Sequence, residues 1–167
     1  AGNAIALGTD NTLASFSYVG GGAGGRGILG DASSGSVTMD DLIMTTSGSD
    51  SHVSLGGKGA QTLSNLDFTN TQESNLSFNR SGNITLTDSK FTGGSVGLGN
   101  KGQIDVYYVG SDPTREHTFS NIEMVDMGEN GITFSQSVPD NSVLTIENSS
   151  FSAGAAQSAD AIHFNAL

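Results

Sequence analysis

The chain has 167 residues, the length of a single domain, and its 17 acidic and 6 basic residues give a formal net charge of −11. A chain this acidic should repel nucleic acid and anionic lipid, so we expect neither as a partner. The absence of cysteine excludes disulfides, thiolate metal sites and a cysteine nucleophile. No apolar run reaches the roughly 18 residues of a membrane span, so we expect no membrane insertion by this segment.

Residues 1–36 fit the pattern of the later chain poorly. Phe16, Tyr18 and Val19 favour a strand, and a glycine-rich run follows them. The segment Gly27-Ile28-Leu29-Gly30 resembles an element that recurs further on. We therefore predict that residues 1–36 form an irregular first rung or an N-terminal cap.

Residues 37–167 contain an internal repeat. One motif recurs five times: an apolar residue, a small polar or acidic residue, Asp or Asn, two variable residues, then Phe or Met. Its copies run from Met39 to Met44, Leu63 to Phe68, Leu86 to Phe91, Phe119 to Met124 and Ile146 to Phe151. Their starts are 24, 23, 33 and 27 residues apart, so an ordinary repeat has a little over 20 residues and the third interval contains an insertion.

A second element follows each copy: an apolar residue, any residue, an apolar residue, then Gly, Asn or Ser. It begins at Val53, Leu76, Val96, Ile132 and Ile162. Apolar residues at every second position are typical of a strand with one buried face. Strands this short cannot bury a core alone, but stacked at about 4.8 Å each covers the apolar row of the next. The sequence thus predicts an all-β parallel β-helix of about five to six rungs.

The third position of the motif is always Asp or Asn, and stacking places these residues in one column. We call them the Asx column: Asp41, Asn65, Asp88, Asn121 and Asn148. Asp and Asn tolerate the left-handed backbone of a sharp bend, and their side chains can form hydrogen bonds along a stack. We predict a structural role for the column and no metal site.

The insertion is predicted at about 107–118. Ile104-Asp105-Val106 resembles the opening of a first strand, and a turn-rich polar stretch precedes Phe119. Insertions in repeat folds lie on the surface and often bind ligands, although a plain loop is the simpler interpretation. Tyr107, Tyr108 and Arg115 are the candidate binding residues of this segment.

Threonine is frequent at outward positions of the first strand. These candidate binding residues of the outer wall are Thr38, Thr62, Thr85, Thr87, Thr118 and Thr145. A wall of Thr, Ser and Asn suits polysaccharide recognition, and threonine rows on a flat β-helix are also used by ice-binding proteins. Threonine is equally a good exposed strand residue, so the row by itself selects neither function.

Catalysis would need carboxylates or basic residues grouped on one outer face. Asp40 and Asp41 are the closest carboxylate pair, but one should point outward while the other occupies the bend. Asp67 next to Lys90 predicts a weak ion pair between rungs. The three histidines do not converge, and we expect lone surface residues at His52, His117 and His163. We predict no catalytic residue, no metal and no cofactor.

The segment from Leu144 to Phe151, with Ala161-Ile162-His163-Phe164, resembles the repeats of bacterial right-handed β-helix surface proteins. These are autotransporter passenger domains and polymorphic outer-membrane proteins of the pectate-lyase-like superfold. The resemblance implies a right-handed, single-stranded parallel β-helix. The superfold also includes polysaccharide lyases, glycosidases, phage tailspikes and adhesins, so it does not specify one function.

We expect a non-catalytic structural or adhesive β-helix that is secreted or exposed on a cell surface. Its last strand has no capping segment, which favours a fragment of a longer passenger or a subunit that stacks head to tail into a fibre. The expected partners are other copies of the chain, a polysaccharide or a host surface. A polysaccharide-binding or polysaccharide-cleaving β-helix is the alternative, and an ice-binding protein is the third.

Overall fold

The structure of the chain is a computed structural model that describes residues 4–20, 26–31, 33–46, 51–70, 72–94, 101–108, 113–135, 141–154 and 159–165. Within these ranges the chain forms strands and no helix. The strands are β1 Ile5–Ala6, β2 Asn11–Gly20, β3 Ile28–Gly30, β4 Val37–Thr46, β5 Val53–Gly56, β6 Gln61–Asn70, β7 Leu76–Asn79, β8 Ile84–Thr92, β9 Gly102–Tyr107, β10 Glu116–Met127, β11 Asn130–Ser135, β12 Val143–Glu147, β13 Ser150–Ala153 and β14 Ile162–Asn165.

The strands form two parallel sheets, and the chain alternates between them. The first sheet has the order β1-β3-β5-β7-β9-β11-β14, and the second has the order β12-β10-β8-β6-β4-β2, with β13 also paired to β10. Each strand inside a sheet therefore pairs with the strands one turn earlier and one turn later, and each strand at the end of a sheet pairs with one of them. The predicted fold class is confirmed: the chain is an all-β parallel solenoid, also called a β-helix.

The interior consists of stacked apolar side chains from alternate strand positions. In the second sheet Phe68 pairs with Phe91, and Phe91 pairs in turn with Met124. The two phenylalanine rings meet edge to face with centroids 5.9 Å apart, and both are fully buried. Burying a side chain of this size contributes about 1.5–3 kcal/mol. Because each turn is too thin to bury its own apolar row, this energy is gained only through stacking.

The Asx column lies where the long strands of the second sheet bend. The bend is left-handed at all five residues: φ is 55° at Asp41, 52° at Asn65, 51° at Asp88, 54° at Asn121 and 50° at Asn148. Flanking residues keep strand pairing on both sides of the bend, so the five positions follow one another from turn to turn. The hydrogen-bonded ladder is partial: Asn121 Nδ2 donates to Asp88 Oδ1 at 2.8 Å, whereas Asn65 Nδ2 donates to Asp40 Oδ1 instead.

Replacement of Asn121 tests the bend. Asn121→Val should lower the free energy of unfolding by about 2 kcal/mol, because a β-branched side chain is strained at positive φ and the hydrogen bond to Asp88 is lost. Asn121→Gly loses the same hydrogen bond but accepts the backbone, so it should cost less than about 1 kcal/mol. Urea unfolding of the two variants measures the difference. Equal losses would show that the left-handed backbone is not what selects Asn here.

Residues 1–36 are more regular than predicted within the part that is described. Strand β2 pairs with β4 on both sides of a bend, from Asn11 opposite Val37 to Gly20 opposite Thr46. Ser15 has φ 53° and occupies the position that Asp or Asn holds in later turns. The sequence motif missed this turn because serine replaces the Asx residue there.

The structure also corrects the assignment of strands in the third repeat interval. Ile104-Asp105-Val106 belongs to β9, which pairs with β7 and β11 in the first sheet, so it is the second element of its turn and not a strand opening. Residues 96–99, to which that element was assigned, lie outside the described residues. Tyr107 ends β9 and Glu116 begins β10, so the predicted insertion at 107–118 narrows to residues 108–115.

Candidate functional site

The outer face of the second sheet bears a column of threonines. Strand pairing places these residues in one line: Thr12, Thr38, Thr62, Thr85, Thr118 and Thr145. Thr118 is half-buried and the others are exposed. The sequence motif did not include Thr12, because the first turn lacks the Asx residue that marks the repeat.

Charged side chains also lie along the second sheet, on both sides of its bend. Asp40 accepts hydrogen bonds from Ser64 Oγ at 2.7 Å and Asn65 Nδ2 at 2.8 Å, and these bonds lower the pKa of its carboxyl group. Lys90 forms its ion pair with Glu123 at 3.0 Å, not with Asp67 as predicted. Ionised groups hold water strongly, so this wall differs from the uncharged surface that the ice-binding alternative would need.

Two of the three candidate binding residues around the insertion are buried. Tyr108 is 1% exposed and its hydroxyl contacts His117 Nε2. Arg115 is 6% exposed; its Nε donates to the carbonyl of Ser81 at 3.0 Å and its Nη1 to that of Pro113 at 3.1 Å. Neither side chain therefore lies on the exposed surface where the sequence analysis placed it. Tyr107 remains exposed on the first sheet.

The expectation of surface histidines is wrong for two of the three. His52 is fully buried next to Phe68, and burial lowers its pKa from 6.5 to about 4. His117 is 3% exposed, and burial likewise lowers its pKa to about 4. Its Nδ1 accepts the N–H of Ile84 at 3.1 Å, so the proton of the neutral ring is on Nε2. Neither ring reaches an outer wall. Both are interior residues.

A polar network that was not predicted from the sequence lies at the N-terminal ends of strands β7 and β9 of the first sheet. Asp105 Oδ1 accepts the N–H of Gly102 at 2.9 Å and Oδ2 accepts the hydroxyl of Ser74 at 2.6 Å. Burial raises the pKa of Asp105 although these bonds act against it. Lys101 pairs with Glu73 at 3.1 Å, and its backbone N–H donates to Glu129. Since both oxygens of Asp105 have donors, the network serves as a structural joint between turns.

A cleft of about 750 Å³ lies at the corner where the chain leaves the first sheet. We call it the cationic cleft, because Arg26, Lys58 and Arg80 line it, and Asp31 is the one carboxylate among its described lining residues. Glycine, which has no side chain to occupy the space, is present at several lining positions of the strands and turns: Gly30, Gly35, Gly56, Gly57 and Gly59. In the sequence, the cleft is indicated only by basic residues just before or after the short strands of the first sheet. These residues become neighbours only when the turns are stacked.

The fold defines the class of the chain, a parallel β-solenoid protein. Comparison with protein-family models, curated proteins and solved structures finds no match. Among the described residues there is no group of three or more His, Asp and Glu side chains arranged to hold a metal ion. No helix in the same part of the chain is long and apolar enough to cross a membrane.

Proposed function

We propose that the chain is a non-catalytic structural and adhesive β-solenoid, secreted or displayed on a cell surface. The observation that carries the proposal is the outer wall, where polar columns continue in register from turn to turn, as in the threonine column. Such a wall offers a repeated, rigid surface to an extended partner. The resemblance of its repeats to autotransporter passengers and polymorphic outer-membrane proteins supports the same location.

We further propose that copies stack end to end. Among the described strands, the end strands β2 and β12 each pair with one parallel partner and have one edge without a partner, and parallel sheets present complementary edges at their two ends. At one end Leu13 and Phe16 are only partly buried, and at the other Ile146 and Phe151 are only partly buried. A second copy would cover both apolar rows and extend the parallel sheets.

If two copies stack with their strands in register, one strand of the first copy must replace a strand of the second. The first sheet contains seven strands, whereas the long strands of the second sheet, counting β12 and β13 as one, occupy six positions. We propose that β14 of one copy takes the place of the two-residue strand β1 in the next, so that Phe164 covers Gly30. Phe164 is 57% exposed and stacks on Phe134 with centroids 5.1 Å apart.

Sedimentation analysis at rising protein concentration tests the assembly. The unmodified chain should form larger species as concentration increases, and Phe164→Lys should stay monomeric because a charge cannot be buried in the joint. Tyr107→Lys is the matched control, since Tyr107 is an exposed aromatic on the same sheet away from the free edge. Stacking would be rejected if the unmodified chain remained a monomer throughout.

The non-catalytic assignment would be rejected by unsaturated or shortened products from acidic polysaccharides incubated with the protein.

A further inference from the structure

The cationic cleft concentrates positive charge on an otherwise acidic molecule. It contains three of the six basic residues of the chain and, among its lining residues, one carboxylate. That carboxylate, Asp31, accepts hydrogen bonds from the N–H and hydroxyl of Ser33, and these bonds lower its pKa. The local balance of three cations to one anion contrasts with the net charge of −11 for the whole chain.

The other three basic residues lie outside the cleft. Lys90 pairs with Glu123 and Lys101 pairs with Glu73. Arg115 is buried and donates to backbone carbonyls. The cleft places Arg26, Lys58 and Arg80 around a volume large enough for a ligand, since small-molecule sites commonly occupy about 300–1,000 Å³.

Stacking brings Lys58 and Arg80 together at one corner, and the shortness of β3 brings Arg26, at the other end of that strand, to the same cleft. Arg26 precedes β3, Lys58 follows β5 and Arg80 follows β7, and these strands are neighbours in the first sheet. Arg80 has φ 59°, and Gly57, the equivalent residue one turn earlier, has φ 104°, so both turns bend sharply at this corner. Arg80 has a side chain at this bend, whereas Gly57 has none. Open space therefore remains beside Gly57, next to the Arg80 side chain.

We infer that the cationic cleft binds a sugar chain bearing carboxylate or sulfate groups. Arginine and lysine pair with both anions, while Ser33, Ser54 and Asn79 provide hydrogen-bonding groups for sugar hydroxyls. No aromatic ring lines the cleft, so it lacks the stacking surface that single-stranded nucleic acids use. The inference deepens the adhesive part of the proposed function by naming a ligand class, and it does not depend on end-to-end stacking.

Calorimetric titration of the full chain at low ionic strength tests the site with three probes: a heparin-derived tetrasaccharide, tetragalacturonate and cellotetraose. At least one of the two charged probes should bind, more weakly as salt is added, and the neutral probe should not. The charged probe that binds identifies sulfate or carboxylate as the preferred group. Lys58→Gln should weaken this binding about tenfold, equivalent to about 1.4 kcal/mol. Arg26→Gln provides a second test of the same cleft.

Lys90→Gln is the matched control, because it removes an exposed lysine on the other sheet and should leave the affinity unchanged. The inference is overturned if neither charged probe binds, or if Lys90→Gln weakens binding as much as Lys58→Gln. Binding of cellotetraose with the same affinity would also overturn it, but would leave an adhesive role standing. Sedimentation of the same samples reports on stacking separately.

Discussion

Lowering the pH from 7 to 4 is expected to remove several kcal/mol from the free energy of unfolding. His52 and His117 have folded-state pKa values of about 4, below the 6.5 of an ordinary histidine, so the unfolded chain takes up protons first. Stability from this source is complete above about pH 6.5 and is lost as the pH falls towards 4. A shift of this size corresponds to about 3 kcal/mol for each buried histidine.

Two carboxyl groups act in opposite directions over the acid range. Burial raises the pKa of Asp105, so its protonation in the folded state favours folding at low pH and offsets part of the loss. The pKa of Asp40 is lowered by its hydrogen bonds to Ser64 and Asn65, so its contribution disappears only below its usual range. We therefore expect the histidines to determine the slope of stability between pH 6.5 and 4.

Two histidine variants separate burial from hydrogen bonding. His52→Leu should flatten the pH dependence without lowering stability at pH 7, because neither ring nitrogen of His52 has a hydrogen-bond partner in the described structure. His117→Leu should also flatten it, but at a cost at every pH, because the N–H of Ile84 and the hydroxyl of Tyr108 lose their partner. Urea unfolding at several pH values measures both. An unchanged slope in both variants would place the acid sensitivity elsewhere.

Gly59→Ala is expected to destabilise the solenoid by about 3 kcal/mol or more, close to the upper range for overpacking. A Cβ at residue 59 would lie 2.2 Å from the carbonyl carbon of Gly35, one turn earlier. The contact is with backbone, so no change of rotamer can relieve it and the two turns must separate. Gly82 has the same relation to Gly59, since its Cβ would lie 2.4 Å from the Gly59 oxygen.

Gly8→Ala provides the comparison for this substitution. Nothing lies within 4 Å of a Cβ at Gly8, so this variant should change stability by less than about 0.5 kcal/mol. Thermal or urea unfolding of both variants gives the difference. A Gly59→Ala variant as stable as Gly8→Ala would mean that the turns at this corner are further apart than the backbone contact requires.

The fold could be predicted from the sequence because the residues that indicate it lie close together in the chain. An apolar residue at alternate positions, followed by Asp or Asn at the bend, appears within a few residues of the chain, and the left-handed φ at Asn121 and its equivalents matches that choice. The first turn was misjudged because Ser15 satisfies the same bend. Ile104 was assigned to the wrong strand because its alternating apolar pattern suits a strand of either sheet, and only the pairing of β9 with β7 and β11 decides between them.

The candidate site depended on relations that the linear pattern does not contain. Exposure of Tyr108 and Arg115 was expected from a polar loop, but both side chains are buried and form hydrogen bonds in the interior. The histidines looked like surface residues because a histidine next to an apolar residue can face either side of a strand. Only the register showed that His52 and His117 face the interior.

By itself the sequence determined the class of fold, because every turn repeats the same alternation of apolar and polar residues and the same bend. The tertiary structure decided which side chains meet. Arg26, Lys58 and Arg80 are separated by more than 20 residues in the chain, yet they line one cleft because stacking brings successive turns to about 4.8 Å from one another. Burial, and with it the pKa of His52 and His117, likewise depends on neighbours from other turns.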